Sequence, residues 1–309
     1  MALGVLAAAG GPAAPAPAAP SGRWTQRAPL PTHRTEVTAA LLEGKIYVIG
    51  GLDRGGTVGT NEAYDPATDA WRVRAPLPEP RNHAAAAGLG GRLYVVGGYR
   101  NDWSAVNSTW SYDPATDRWE GRAPLPTARG ALAAVAIGGR LYAVGGAGRG
   151  NADALEVYDP ATNRWEGRAP LPTPRDHHAA AEVGGRLYVV GGRVGGDWTR
   201  NLSVNEEYDP ATDRWRPRAP MPTAHSGIAA AAWGGRIYAF GGESAATTFR
   251  EAEEYDPAAD RWRALPPMPT GRHGLGAVAL AGRIYVLSGG PRPGYAYSDL
   301  NEVLGLDTR

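Results

Sequence analysis

Apolar residues in this chain occur in short runs of about five residues, separated by glycine pairs and by Asp-Pro or Pro-x-Pro segments. The stretch Val183 to Gly192 reads V-G-G-R-L-Y-V-V-G-G, a glycine hairpin followed by an apolar strand that stops at a second glycine pair. Runs of β-branched and aromatic residues cut by turn residues are typical of antiparallel strands, and no stretch keeps a helical period. The pattern therefore predicts an all-β protein.

This unit recurs along the chain at nearly constant spacing. The glycine pairs begin at residues 50, 97, 145, 191, 241 and 289, with intervals of 47, 48, 46, 50 and 48 residues. Such regularity indicates supersecondary units that bury their apolar faces only by stacking on one another. We therefore predict one domain over residues 23–309, although a length of 309 residues by itself suggests about two.

Each unit is predicted to contain four strands. In the fourth unit these are an inner strand over His178 to Val183, a second over Arg186 to Val190, a third ending at Tyr208 and a fourth holding Trp215. The motif Y-D-P-A-T-D-R-W joins the last two strands, and its Asp-Pro step is a strong turn signal. Alanine-rich inner strands indicate convergence on a central axis, where only small side chains fit.

The two ends of the chain predict how the ring of units closes. The first strand, around Trp24, has the pattern of a fourth strand, whereas the chain finishes on a third strand predicted over Glu302 to Asp307. We therefore expect the N-terminal strand to complete the last sheet, because closure removes an exposed edge.

Paired glycines after L-Y-V-V, followed by Y-D-P and a spaced tryptophan, resemble the kelch motif. Six copies cover residues 23–309. The resemblance implies a six-bladed β-propeller of four-stranded antiparallel blades. Kelch propellers include adaptors, enzymes and sugar-binding proteins, so the resemblance implies a fold and leaves the function open.

Composition removes several classes of function. The 32 basic and 31 acidic residues give a net charge of +1, which carries no sign of nucleic-acid or membrane-surface binding. The absence of cysteine excludes disulfides and thiolate metal sites. Residues 1–22, rich in Ala, Pro and Gly, are a tail or the remnant of a secretion signal without its basic segment, and they are too short to span a bilayer. We favour a secreted or periplasmic monomer over a cytoplasmic protein.

The candidate binding surface is formed by the linkers between each glycine pair and the next strand. These linkers differ in every unit, and loops on a rigid scaffold commonly carry function. Two of them contain N-D-W and G-D-W, with Trp103 and Trp198, and two more candidate contact residues are Arg200 and Tyr295. Aromatic and arginine side chains of this kind bind peptides and sugars.

A second candidate group lies in the links that lead into the inner strands. Units 1 to 4 and unit 6 have an arginine there, and unit 5 has a histidine. Further histidines follow nearby. The residues are Arg34, Arg81, Arg129, Arg175, His225 and Arg272, with His83, His177 and His273. Around a channel mouth, guanidinium groups would bind a carboxylate, a phosphate or an acidic peptide.

The alternative is that these arginines are part of the scaffold. Glutamates two residues before the tyrosines are available as partners, namely Glu62, Glu156, Glu206 and Glu253. No carboxylate-histidine spacing recurs, and adjacent His177 and His178 would point to opposite faces of a strand, so we predict no metal site and no cofactor.

These observations favour a non-catalytic binding module for a protein, a peptide or an anionic glycan, with no nucleic-acid partner and no membrane span. The alternative is a carbohydrate-active enzyme, because the chain is similar in architecture to kelch-like sialic acid mutarotases. Copper radical oxidases with kelch blades need a cysteine, nitrile-forming kelch proteins need an iron-binding Glu/Asp/His run, and ubiquitin adaptors carry a BTB-like domain. None of these features is found in the sequence.

Overall fold

The computed structural model describes residues 22–150 and 152–306. The predicted N-terminal tail up to residue 21, and Asp307 at the end of the predicted last strand, lie outside the described residues. The described part is built from strands. The strands are β1 (Arg23–Gln26), β2 (Thr38–Leu42), β3 (Lys45–Ile49), β4 (Leu52–Asp53), β5 (Gly56–Thr57), β6 (Asn61–Asp65), β7 (Ala70–Arg74), β8 (Ala85–Leu89), β9 (Arg92–Val96), β10 (Thr109–Asp113), β11 (Arg118–Arg122), β12 (Ala133–Ile137), β13 (Arg140–Val144), β14 (Leu155–Asp159), β15 (Arg164–Arg168), β16 (Ala179–Val183), β17 (Arg186–Val190), β18 (Asn205–Asp209), β19 (Arg214–Arg218), β20 (Ala229–Trp233), β21 (Arg236–Phe240), β22 (Ala252–Asp256), β23 (Arg261–Ala264), β24 (Gly276–Leu280), β25 (Arg283–Leu287) and β26 (Asn301–Gly305).

The strands form six four-stranded antiparallel sheets, the blades of a propeller. Blade 1 is β2-β3-β6-β7, blade 2 is β8-β9-β10-β11, blade 3 is β12 to β15, blade 4 is β16 to β19, blade 5 is β20 to β23, and blade 6 is β24-β25-β26-β1. The first strand completes the last blade, with Trp24 opposite Leu304. The predicted fold and its closure by the N-terminal strand are confirmed.

The inner strands of the six blades surround a central channel. Each contacts the inner strands of its two neighbours, and β24 contacts β2 to close the ring. Alanines from every blade line the channel, among them Ala39, Ala86, Ala134, Ala180, Ala230 and Ala277. Because these side chains are small, six strands can approach one axis.

The repeated Tyr, Asp and Trp residues join each blade to the one before it. In blade 4 the Tyr208 hydroxyl donates to Asp213 Oδ1 over 2.7 Å, and the same oxygen accepts from the Ala169 backbone N–H at 2.9 Å. The indole Nε1 of Trp215 donates to the Ala169 carbonyl at 2.8 Å. Ala169 belongs to the A-P-L-P segment that leaves blade 3, and Leu171 of that segment is buried. These recurring motifs therefore hold the blades together.

The glycine pairs are required where the backbones of adjacent blades pass closely. Gly191 and Gly192 have φ angles of 63° and 102°. A Cβ atom at Gly191 would lie 2.8 Å from the His225 carbonyl oxygen of the next blade. The N–H of Gly192 donates to that same carbonyl at 3.0 Å, so close approach is part of the contact between blades.

Across residues 22–150 and 152–306, there is no helix with the length and apolar character needed to cross a bilayer.

Candidate functional site

The variable linkers and the links into the inner strands lie on one face of the propeller, here called the loop face. Short β-bridges join the two sets within a blade, for example Thr35 to Leu52 in blade 1 and Asp176 to Arg193 in blade 4. The hairpins that follow the inner strands and the Asp-Pro turns lie on the opposite face, the turn face. Sequence variation between the blades is therefore concentrated around one opening of the channel.

That opening is bordered by six residues, one per blade, which we call the mouth ring. They are Glu36, His83, Ala131, His177, Gly227 and Gly274. All six have positive φ angles, between 51° and 69°. Backbone hydrogen bonds link them in order, for example from His83 N–H to the Glu36 carbonyl at 3.1 Å and from His177 N–H to the Ala131 carbonyl at 3.0 Å. For the four residues that are not glycine this conformation is strained, and such strain persists where the surrounding structure fixes it, commonly at functional sites.

The five arginines of the inner-strand links lie inside the blades, with at most 1% of each residue exposed. Arg34 donates to Glu62 at 2.6 Å and Arg272 donates to Glu302 at 2.9 Å. Two further pairs follow the same arrangement, Arg129 with Glu156 and Arg175 with Glu206. Blade 2 has Trp110 at that strand position, and Arg81 instead pairs with Glu79, a partly exposed residue of its own link. Most of these arginines also donate to carbonyls of their own blade, such as that of Gly50. This placement supports the scaffold role that the sequence left open.

Blade 5 departs from this arrangement, because His225 replaces the arginine. Its Nε2 lies 3.8 Å from Glu253 Oε2, which is beyond hydrogen-bond distance. Burial lowers the pKa of His225 to about 4 and raises the pKa of Glu253 to about 7. Blade 5 therefore holds an uncharged imidazole beside a carboxyl group of raised pKa, at the position where blades 1, 3, 4 and 6 hold a buried ion pair.

The mouth ring brings a carboxylate and imidazoles together. Glu36 Oε2 lies 3.1 Å from His83 Nε2, and Glu36 Oε1 lies 3.4 Å from His273 Nε2. The rings of His83 and His177 have centroids 4.9 Å apart. Burial lowers the pKa of His83 to about 3, although the Glu36 carboxylate acts in the opposite direction. For Glu36, burial favours the neutral acid, but the imidazoles and Arg193 outweigh it and keep the pKa below its usual value.

A second polar cluster adjoins the mouth ring on the side of blades 4 and 5. The Arg193 guanidinium donates to Glu243 Oε1 at 3.0 Å and lies 3.4 Å from Asp176 Oδ1. Glu243 Oε2 in turn lies 3.6 Å from His273 Nε2, which connects the two clusters. The two clusters together contain the carboxylates of Glu36, Asp176 and Glu243 and the guanidinium of Arg193.

Small residues make room for these side chains. A Cβ atom at Gly274 would lie 2.6 Å from the Glu36 carboxyl, and one at Gly290 would lie 2.4 Å from the His273 ring. A cavity of about 80 Å³ remains between Glu36, His83 and His177. Since a water molecule occupies about 30 Å³ of liquid, the cavity accepts an ion or one small functional group.

Two tryptophans stand at the rim of the mouth on matching turns. Asp102 Oδ1 accepts from the Ser104 N–H and hydroxyl at 3.0 and 2.6 Å, which holds Trp103 between them. Asp197 makes the same turn with Thr199 around Trp198. The Trp103 ring packs 5.6 Å from His83, and Trp198 lies 5.8 Å from the Arg193 guanidinium. Trp103 is 47% exposed.

A groove of about 660 Å³ lies on the same face, where the loops of blades 1 and 6 meet. Arg54 and Arg292 border it, together with Tyr295 and Tyr297. Tyr295 is 70% exposed, and Arg200 is exposed in the neighbouring linker of blade 4. The aromatic candidates from the sequence thus share the loop face with the mouth.

Sequence reasoning missed Glu36, Arg193 and Glu243 at the mouth. A signal for Glu36 was present, because it occupies the place in unit 1 that His83 and His177 occupy in units 2 and 4. Arg193 and Glu243 directly follow the glycine pairs of their units, where the other units have Leu52, Tyr99, Ala147 and Pro291. Superposing the six units and searching for charged exceptions would have identified all three.

The chain matches the family model described as the KLHDC2/KLHL20/DRC7 Kelch-repeats domain over residues 21–146 and 131–309. It is similar to the Kelch-like protein terF of Aspergillus terreus, with 39% identity over 54 residues, or 16% of this chain and 12% of that protein. It is also similar to the solved structure titled "Structure of YjhT", with a TM-score of 0.76, 18% identity and coverage of 88% of this chain and 95% of that one. The match to terF spans a small part of that protein. The match to the solved structure, at 18% identity, shows a shared fold.

Proposed function

This chain belongs to the kelch-repeat family, and we propose that it is a binding module whose loop face engages a protein, peptide or glycan partner. The observation that carries the proposal is the pair of matching turns that present Trp103 and Trp198 beside a polar mouth. The repeated residues serve the contacts between and within blades. The residues that break the repeat instead converge on one opening.

The expected mode of binding follows from the character of the loop face. An apolar surface of the ligand lies against the two indoles, and a polar group enters the mouth between Glu36 and the imidazoles. Exposed tryptophan, tyrosine and arginine residues commonly dominate binding energy at such surfaces. Arg200 and Tyr295 extend the contact outward. The ion-paired arginines inside the blades hold the loops in place and do not contact the ligand.

The test uses tryptophans on opposite faces of the same protein. Binders are selected with the wild-type chain from a random peptide display library and a glycan array. They are then measured against Trp103→Ala, Trp198→Ala and the matched control Trp233→Ala. Trp233 is 41% exposed at the turn-face end of β20. We expect at least a tenfold loss of affinity for the two loop-face variants and none for the control.

Equal affinity of all three variants, or a loss confined to Trp233→Ala, would show that the partner does not use the loop face. A selection that yields no binder from either source would also contradict the proposal.

The second candidate is a carbohydrate-active enzyme, favoured by one observation: the Glu36 carboxylate lies 3.1 Å from the His83 imidazole in a small cavity beside aromatic rings. Such a pair can exchange protons with a sugar hydroxyl. Anomer exchange of sialic acid and other acidic sugars, followed by NMR, tests it. Acceleration that Glu36→Gln abolishes would favour the enzyme over the binding module.

A further inference from the structure

Three of the six histidines of this chain meet at the mouth, and their hydrogen bonds set which ring nitrogen carries the proton. His83 Nδ1 lies 2.6 Å from Asn82 Oδ1, His177 Nδ1 lies 2.5 Å from Asp176 Oδ1, and His273 Nδ1 lies 3.1 Å from the Gly290 carbonyl oxygen. Each partner is an oxygen acceptor, and the Asn82 amide is oriented by its donation to Thr57 Oγ1 at 2.7 Å. The proton of each imidazole therefore belongs on Nδ1.

With Nδ1 protonated, a neutral imidazole presents a lone pair at Nε2. The Nε2 atoms of His83 and His273 face the two oxygens of the Glu36 carboxylate at 3.1 and 3.4 Å. Two acceptors at such distances repel each other unless a cation lies between them. Protonating both His83 and His177 would place two positive rings with centroids 4.9 Å apart in a buried site. One divalent ion between Glu36 and His83 would bind both facing lone pairs without placing a positive charge on either ring.

From this geometry we infer that the mouth binds a divalent first-row transition metal ion through Glu36, His83 and His177. One atom each from Glu36, His83 and His177 lies within 4.8 Å of the others, and so does one each from Glu36, Glu243 and His273. Ligands about 2.0–2.1 Å from one metal ion lie roughly 3.0–3.4 Å from each other, close to the 3.1 Å between Glu36 Oε2 and His83 Nε2.

The surroundings have the features that metal sites need. Each imidazole is held by an oxygen acceptor on Nδ1, the arrangement that fixes ring orientation in metal-ligating histidines. Imidazole and carboxylate donors favour ions such as Zn²⁺ and Fe²⁺ over Ca²⁺ or Mg²⁺. The cavity of about 80 Å³ leaves space for the ion and about one or two water molecules. An open coordination position would then face the loop side.

The experiment uses the full chain after treatment with a chelator and its removal. Co²⁺ is titrated at pH 7.5 and followed by its visible absorption bands, and Zn²⁺ is then added as a competitor. We expect one ion per chain with micromolar or tighter affinity. His83→Gln and Glu36→Gln should each weaken binding at least tenfold, and Zn²⁺ should raise the melting temperature of the wild-type protein more than that of either variant.

His33→Gln is the matched control, because His33 is an exposed loop-face histidine that lies 3.5 Å from Asp299. This variant should bind Co²⁺ as the wild type does. If either mouth variant fails to fold, as judged by circular dichroism, His177→Gln takes its place.

Three results would overturn the inference: no Co²⁺ binding up to millimolar concentration, unchanged affinity in the mouth variants, or an equal loss in His33→Gln. If the metal-free protein binds no metal and ¹⁵N NMR at pH 7.5 shows protonated Nε2 atoms in His83 and His273, the cation between these rings and Glu36 is a proton. The inference goes beyond the proposed function and does not depend on it, because the titration contains the metal alone. Loss of the metal with intact binding to the loop face would contradict only the metal site.

Discussion

Replacing Glu206 by glutamine tests the role of the buried ion pairs in the blades. Arg175, with no exposed surface, donates from Nη1 to Glu206 Oε2 at 2.5 Å and to the Thr173 carbonyl at 2.8 Å, and from Nη2 to the Val189 carbonyl at 2.9 Å. Glutamine has nearly the same shape as glutamate but no charge. The substitution therefore leaves a buried guanidinium with carbonyl dipoles as its only partners. Burial already lowers the pKa of Arg175, and Glu206 opposes that effect.

Removing one partner of a buried ion pair costs about 3–5 kcal/mol, because the remaining charge is left uncompensated. The entropy of unfolding is about 2.1 cal/mol/K per residue, so a chain of this length loses roughly 1.5 °C of melting temperature per kcal/mol. We therefore expect Glu206→Gln to lower the melting temperature by about 5–8 °C. Denaturant unfolding at pH 8 gives the free energy directly.

Glu253→Gln is the matched control, because Glu253 holds the same place in blade 5 opposite His225. Its pKa of about 7 lies above the ordinary value of 4.5, so the folded state binds this proton more tightly than the unfolded state. The stability contributed by that proton is therefore present at low pH and is lost as the pH rises from about 4.5 to about 7. Glutamine does not titrate, so the variant should gain stability relative to the wild type over this range, by at most about 1.4 kcal/mol per pH unit.

The two variants should thus differ in sign at pH 8, with Glu206→Gln less stable than the wild type and Glu253→Gln at least as stable. The reasoning is refuted if Glu206→Gln stays within about 1 kcal/mol of the wild type, well under the loss expected for a broken buried pair. It is also refuted if the free energy of unfolding falls by the same amount in both variants.

Two further predictions concern the ring. Gly88→Ala would place a Cβ atom 2.2 Å from the Leu41 carbonyl oxygen of the neighbouring inner strand, so we expect the free energy of unfolding to fall by about 1–3 kcal/mol in denaturant titration. The control Gly167→Ala, whose Cβ would meet nothing within 4 Å, should change it little. Equal effects of the two variants would contradict the packing of the channel. Deleting residues 1–26 removes β1 and exposes the edge of β26, so we expect a lower melting temperature and oligomers in light scattering. Deleting residues 1–21 leaves the strand in place and should give a stable monomer, whereas identical behaviour of the two truncations would show that β1 does not close the ring.

The architecture was accessible from the chain alone because its determinants are local and repeated. Glycine pairs, Asp-Pro turns and short apolar runs each act within a few residues, and six copies identify them reliably. Closure by Trp24 followed from counting strands, since an unpartnered edge is unfavourable. The small strands β4 and β5 in the first linker were not predicted, because a linker that occurs once offers no repeat to compare.

The site was only partly accessible. His83, His177 and His273 were singled out as departures from the repeat, but spacing along the chain gave no reason to join them with a carboxylate. Glu36 and Glu243 are 207 positions apart in the sequence, yet each lies within 3.6 Å of His273. The expectation that this chain holds no metal rested on that spacing, and the inferred site at the mouth replaces it with a testable alternative.

The order of residues thus determines the repeating blade, its turns and the number of blades, because those depend on interactions within about fifty residues. The pairs of arginine and glutamate also form within single blades, about 30 residues apart. The closed ring decided which exceptions to the repeat become partners, because it brings charged and imidazole side chains from distant blades to a common axis. The physical reason is that burial and distance set the energy of a charge, and both are properties of the assembled propeller.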